Sequence, residues 1–81
     1  MKVTIETPIS RKQHICTATV IIDELALHDI ELWYGRKGLY LSFPSRLYHP
    51  ITEEFRQKIL NAIIDKLKQY PEFIRLHSDK I

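Results

Sequence analysis

The hydrophobic period changes once along this chain, and that change limits the folds open to it. Residues 2–43 alternate polar and apolar side chains or run apolar in short pieces, whereas residues 52–70 repeat apolar side chains at helical spacing. A single amphipathic helix can cover only one face of a sheet. The pattern therefore predicts an α+β fold: a four-stranded antiparallel β-meander, packed on one face by a long C-terminal helix, with a short final helical turn. With 81 residues the chain is expected to form a single domain, the sheet over about 2–43 and the helix over about 52–70. A domain of this size buries only roughly 60% of the surface its unfolded chain exposes, so a partner surface would add stability.

The strands are expected near 2–9, 14–22, 26–34 and 39–43. Gly35-Arg36-Lys37-Gly38 is the best-specified turn. A two-residue loop at Arg36-Lys37 pairs Leu32 with Leu41, Ile30 with Phe43 and Tyr34 with Leu39 on one side, which is the expected core side. Trp33 and Tyr40 then pair on the other side, with Glu31 and Ser42 beyond them. A loop at Arg11-Lys12 likewise pairs Val3 with Val20, Ile5 with Ala18 and Thr7 with Cys16.

The middle connection fails a parity test. A two-residue loop at Asp23-Glu24 would pair core-facing Val20 with Leu27, which shares parity with Asp29, Glu31 and Trp33. A one-residue slip moves every side chain to the opposite face. The expectation is therefore an odd loop, Asp23-Glu24-Leu25, or a bulge beside it. The odd loop sets Val20 opposite His28 and Ala18 opposite Ile30. It leaves Ile15, Ile21, Leu27, Trp33 and Tyr40 on the outer face.

In the second half Thr52 is the expected N-cap, and Glu53 and Glu54 suit the positive end of the helix dipole. Phe55, Ile59, Ala62, Ile63, Leu67 and Tyr70 form the stripe, widened by Leu60 and Ile64. Pro71 ends the helix, and Phe73, Ile74 and Leu76 are the apolar contacts of the last turn.

No pattern of catalysis stands out. The sequence has no glycine-rich phosphate loop, no nucleophile elbow and no spaced Cys/His quartet. His28-Asp29 are neighbours on a strand and point to opposite faces, so a core-side histidine is the simpler reading. His14 and Cys16 share a strand face, but two ligands do not make a structural zinc site. The expectation is no enzyme, no cofactor, no metal and no small-molecule substrate. Apolar runs reach three residues, as in Val20-Ile21-Ile22, against the ~20 a membrane span needs. With one cysteine and no signal-peptide core, the chain is expected to be cytoplasmic, without a membrane partner.

The charges are nearly balanced, 12 basic against 10 acidic for a net of +2, so any basic footprint must be local. In a meander the first and third turns lie at one end of the sheet. Those turns carry Arg11-Lys12 and Arg36-Lys37, while Asp23-Glu24 lie at the other end. Four cations at one end could clamp a phosphate backbone, although hairpin tips are also simply polar. Trp33 and Tyr40 beside them admit three readings: a dimer interface, base stacking, or a cross-strand pair that stabilises the hairpin.

From His28-Asp29-Ile30 onward the chain resembles the stage V sporulation protein G family (SpoVG, the septation regulators). The triplet is followed at the family's spacing by Gly35-x-x-Gly38-Leu39, the aromatic Tyr40, Pro44-Ser45-Arg46, and His49-Pro50-Ile51 before a helix. Val3-Thr4 and Ala18-x-x-x-x-Asp23 fit the family's first hairpin, so the resemblance runs from about residue 3 to residue 70. In this chain only Leu47 and Tyr48 separate Arg46 from His49, where the family has a longer charged loop. The family's acidic tail is also missing, so a short or divergent member is expected. The resemblance implies a small homodimer that binds DNA or RNA and regulates genes in sporulation or septation. The residues expected to meet nucleic acid are Arg11, Lys12, Arg36, Lys37 and Arg46, with Trp33 and Tyr40 stacking. Those expected at a dimer interface are Ile15, Ile21, Leu27, Trp33 and Tyr40. The alternative is a homo-oligomeric protein-interaction module without nucleic-acid binding.

Overall fold

A computed structural model gives the fold and describes residues 1–44 and 52–80. Four strands, β1 (Lys2–Ile5), β2 (His14–Ile22), β3 (Leu25–Gly35) and β4 (Gly38–Ser42), form one antiparallel sheet in the order β1-β2-β3-β4. Helix α1 (Glu53–Leu67) and the short helix α2 (Pro71–His77) follow, with a single 3-10 turn at Ser78–Lys80. This is the α+β meander that the change of period predicts.

Both outer hairpins keep the expected register. Leu32 pairs with Leu41, Trp33 with Tyr40 and Tyr34 with Leu39 across β3 and β4. Val3 pairs with Val20 and Ile5 with Ala18 across β1 and β2. The first strand is shorter than expected, however. It ends at Ile5, one further ladder bond joins Glu6 N–H to the Thr17 carbonyl at 2.9 Å, and the chain then leaves the sheet. Pro8 has no N–H to donate, so the ladder cannot run on to pair Thr7 with Cys16. Residues 6–13 form a longer loop in place of a two-residue turn at Arg11-Lys12. The loop returns Ile9, 3% exposed, to the core.

The β2–β3 hairpin resolves the parity conflict with bulges. Its turn does hold two residues, Asp23 and Glu24, with Ile22 opposite Leu25 and Val20 opposite Leu27. By Ala18 the partner has become Ile30, so Thr19 faces two residues, His28 and Asp29. Asp29 takes a left-handed φ of 59°, which Asp tolerates better than most residues with a side chain. The bulge corrects the expected three-residue loop and the pairing of Val20 with His28. Leu27, expected outside, is buried, and His28, expected inside, is exposed. A second irregularity lies between His14 opposite Trp33 and Cys16 opposite Leu32. Here Ile15 is the extra residue. It too was expected outside and is fully buried.

Both bulges have one physical cause. Each lies where a histidine adjoins an aliphatic residue, and each sends the aliphatic side chain inward. Burying Ile or Leu stabilises by about 1.5–3 kcal/mol, whereas burying a ring nitrogen costs energy unless it finds a partner.

The helical layer begins where expected. Thr52 Oγ1 accepts a hydrogen bond from the Phe55 N–H at 3.2 Å, with Glu53 and Glu54 in the first turn. Ile59, Ile63 and Leu67 are fully buried against the sheet. Arg56 lies at the margin of this layer, donating from Nη1 to the Leu41 carbonyl at 3.1 Å with its guanidinium over the Phe43 ring. The helix stops at Leu67, earlier than expected. Tyr70 and Pro71 open a separate helix, with Pro at a first-turn position where its missing N–H costs nothing. In α2, Phe73 and His77 are fully buried, while Ile74, expected as a contact, is 43% exposed.

Candidate nucleic-acid interface

The face away from the helices is built from rows of register partners. Lys2, Ile21 and Ala26 form the row nearest the Asp23-Glu24 turn. Thr4 and Thr19 follow, with His28 Nδ1 3.3 Å from Thr19 Oγ1. Thr17, Glu31 and Ser42 make the next row, and His14, Trp33 and Tyr40 the last. Polarity thus changes along the face, from an acidic turn at one end to an aromatic row at the other.

The aromatic row is held together by specific contacts. The His14 and Trp33 rings stack with centroids 4.9 Å apart and planes 22° from parallel. Trp33 Nε1–H donates to Glu31 Oε1 at 3.2 Å. His14 Nε2 lies 3.3 Å from Thr17 Oγ1 and 3.9 Å from Glu31 Oε2. Tyr40, 48% exposed, lays its ring across Gly35, where a Cβ would come within 2.9 Å of Tyr40 Cε1. Any side chain at Gly35 would displace that ring. Gly38, at φ 108°, closes the turn in a conformation that side chains disfavour.

Both basic segments lie toward this end of the sheet. Arg11, Lys12, Arg36 and Lys37 are all exposed. The first loop is tied to the third strand just before its turn, because Tyr34 N–H donates to the Gln13 carbonyl at 2.8 Å. The meander places Asp23 and Glu24 at the opposite end. An end that presents four cations beside an aromatic row can attract phosphates and offer π-faces to unpaired bases.

The remaining expected residues divide. Ile21 stays half-buried on the outer face. Ile15 and Leu27 cannot contribute to an outer-face interface, since both belong to the core of this chain. Arg46 lies outside the described residues. His14, Thr17 and Glu31 were not expected in the site. The signal was present in the neighbour pairs His14-Ile15 and Leu27-His28, where one bulge exchanges a polar for an apolar side chain.

The shared strand face expected for His14 and Cys16 is also lost. The bulge at Ile15 turns Cys16 into the core while His14 stays outside. Burial first, and then the Glu6 charge, push the Cys16 thiol from 9.0 up to about 12, which suppresses the reactive thiolate. Among the described residues no group of three or more His, Cys, Asp or Glu is placed to hold a metal, and no helix is long and apolar enough to cross a membrane.

Comparison with known proteins adds relatives. The chain is 35% identical over 66 residues to the SpoVG protein of Agathobacter rectalis, covering 70% of this chain and 76% of the relative. It is 33% identical over 64 residues to that of Treponema denticola, covering 69% of the relative. It is 38% identical over 56 residues to that of Finegoldia magna, of which the match spans about half, 52%. All three are described by name as candidate septation proteins. No profile of a known protein family matches the chain, and neither does any solved structure.

Proposed function

We propose a function from one premise: the chain belongs to the SpoVG family. It acts as a dimeric nucleic-acid-binding regulator, without enzymatic activity, in gene regulation linked to septation or sporulation. One observation carries the nucleic-acid part. Both basic segments reach the end of the sheet that holds the His14–Trp33–Tyr40 row, while the acidic turn is at the far end. Arg11, Lys12, Arg36 and Lys37 meet phosphates, and Arg46 joins them. Trp33 and Tyr40 stack on unpaired bases.

The test is binding of labelled DNA and RNA pools, single- and double-stranded, across a salt series. Replacing Arg36 and Lys37 with Ala weakens binding, and every phosphate no longer bound lowers the log–log salt slope by about 0.7–0.9. Folding stays within about 0.5 kcal/mol of wild type, because both residues are exposed turn positions. A double variant with unchanged affinity and slope would remove the basic end from the reading.

A second reading, a homo-oligomeric interaction module, is favoured by exposed Tyr40 and half-buried Trp33 and Ile21 on a face that no helix covers. Trp33→Ala separates the two. A stacking role predicts weaker single-strand binding by an intact dimer, and an interface role predicts loss of the dimer first. Sedimentation at micromolar concentration gives twice the chain mass for either reading, and a clean monomer counts against both.

A further inference from the structure

His77 is the buried polar side chain of this fold: among the described residues of the core it stands alone in a set that is otherwise aliphatic, aromatic or thiol. It is fully buried, and its Nε2 lies 2.6 Å from the Ser10 carbonyl, an acceptor 67 residues away in sequence. Its ring packs tilted against Phe73 of the same short helix, centroids 5.6 Å apart. Placing a histidine here is costly unless its nitrogen is satisfied, so the Ser10 bond is part of how α2 docks.

Ser10 does more than accept that bond. Its own N–H donates to the Ile15 carbonyl at 2.8 Å, which ties the loop to the bulge at the start of β2. Its Oγ accepts from the Lys12 N–H at 3.0 Å, which sets the turn that carries Arg11 and Lys12. The next anchor along the chain is the Gln13 carbonyl on Tyr34 N–H. The backbone on both sides of the Arg11-Lys12 pair is therefore pinned, and one of the pins comes from the C-terminal helix.

We propose that His77 is a positioning residue for nucleic-acid binding: through Ser10 it holds the Arg11-Lys12 loop beside the Arg36-Lys37 turn, so that α2 braces the basic end as well as closing the core. This rests on the reading of that end as a phosphate clamp. An undocked α2 releases one half of the clamp while leaving the other half, which hangs on the β3–β4 turn, in place.

His77→Phe keeps an aromatic ring against Phe73 and removes the donor. His77→Gln offers an amide N–H near the position of Nε2. Amide hydrogen exchange and salt-dependent binding to single-stranded oligonucleotides are measured on both, with Ser10→Ala as a second route to the same loop. His77→Phe is expected to speed exchange at the Ser10 and Lys12 amides, leave the Leu41 amide of β4 unchanged, and lower the salt slope by about 0.7–0.9 for each phosphate released. His77→Gln restores both, and Ser10→Ala reproduces the faster Lys12 exchange with His77 intact. Unchanged exchange at Ser10 and Lys12 overturns the proposal, as does a loosened loop with wild-type affinity and slope while Arg36/Lys37→Ala still weakens binding. If His77→Phe does not fold, His77→Gln and Ser10→Ala decide: wild-type exchange at Lys12 in Ser10→Ala overturns the proposal. Should Arg36/Lys37→Ala also leave binding untouched, the phosphate-clamp reading itself has failed, and the exchange data show separately whether His77 holds the loop.

Discussion

The two bulges of the β2–β3 hairpin do the same thing to the core and opposite things to the surface. Near the start of β2 the extra residue Ile15 goes inward and His14 goes out. Midway along β3 the extra residue at Asp29 lets Leu27 go inward and His28 go out. The core gains an aliphatic side chain each time. Outside, the histidines meet different company. His14 stacks on Trp33, within reach of Thr17 and Glu31, beside the two basic segments. His28 is exposed, against Thr19, next to Asp29 and towards the acidic turn. Burial thus determines which residues leave the core, and the strand's position in the meander determines what they join.

That comparison can be broken most directly from the inside. Ile15→Ala and Leu27→Ala should each cost about 2–5 kcal/mol in chemical denaturation, while Ile21→Ala, on the outer face, should cost less than about 1 kcal/mol. Similar losses at all three positions would mean that the bulges do not sort the residues as described. A smaller effect tests the backbone at the second bulge. Asp29→Val puts a β-branched residue at φ 59° and should destabilise by about 1–3 kcal/mol, whereas Asp29→Gly should hold or raise the denaturation midpoint. An Asp29→Val variant as stable as wild type would rule out the left-handed conformation. The smallest effect lies on the outer face. A double-mutant cycle on His14 and Trp33 should give a coupling of about 0.2–1 kcal/mol. The equivalent cycle on His28 and Trp33, which occupy different rows, should give none. Equal couplings would erase the difference between the two histidines.

Much of this protein is legible without coordinates, and the legible parts share a physical basis. The register of β3 with β4 follows from Gly35 and Gly38 flanking two residues. The register of β1 with β2 is the one a two-residue turn at Arg11-Lys12 would set, and the longer loop keeps it; the start of α1 follows from Thr52 and two glutamates. All are local rules of turn length, period and capping. Even the parity conflict at Asp23-Glu24 could be read from the chain, because a face mismatch is arithmetic. Its solution could not. An odd loop and a bulge satisfy the same parity, and the choice depends on which side chains the helix layer can bury.

The amino-acid order by itself determined the strand count, the outer registers, the single helical stripe and the placing of basic and acidic turns at opposite ends. Only the tertiary structure decided that Ile15 and Leu27 belong inside, that His14 stands on Trp33, and that His77 reaches back across the chain to Ser10. The first set rests on contacts between near neighbours or on periodicity. The second depends on which of two adjacent side chains gains more from a core assembled by distant segments, and that balance exists only once those segments have packed.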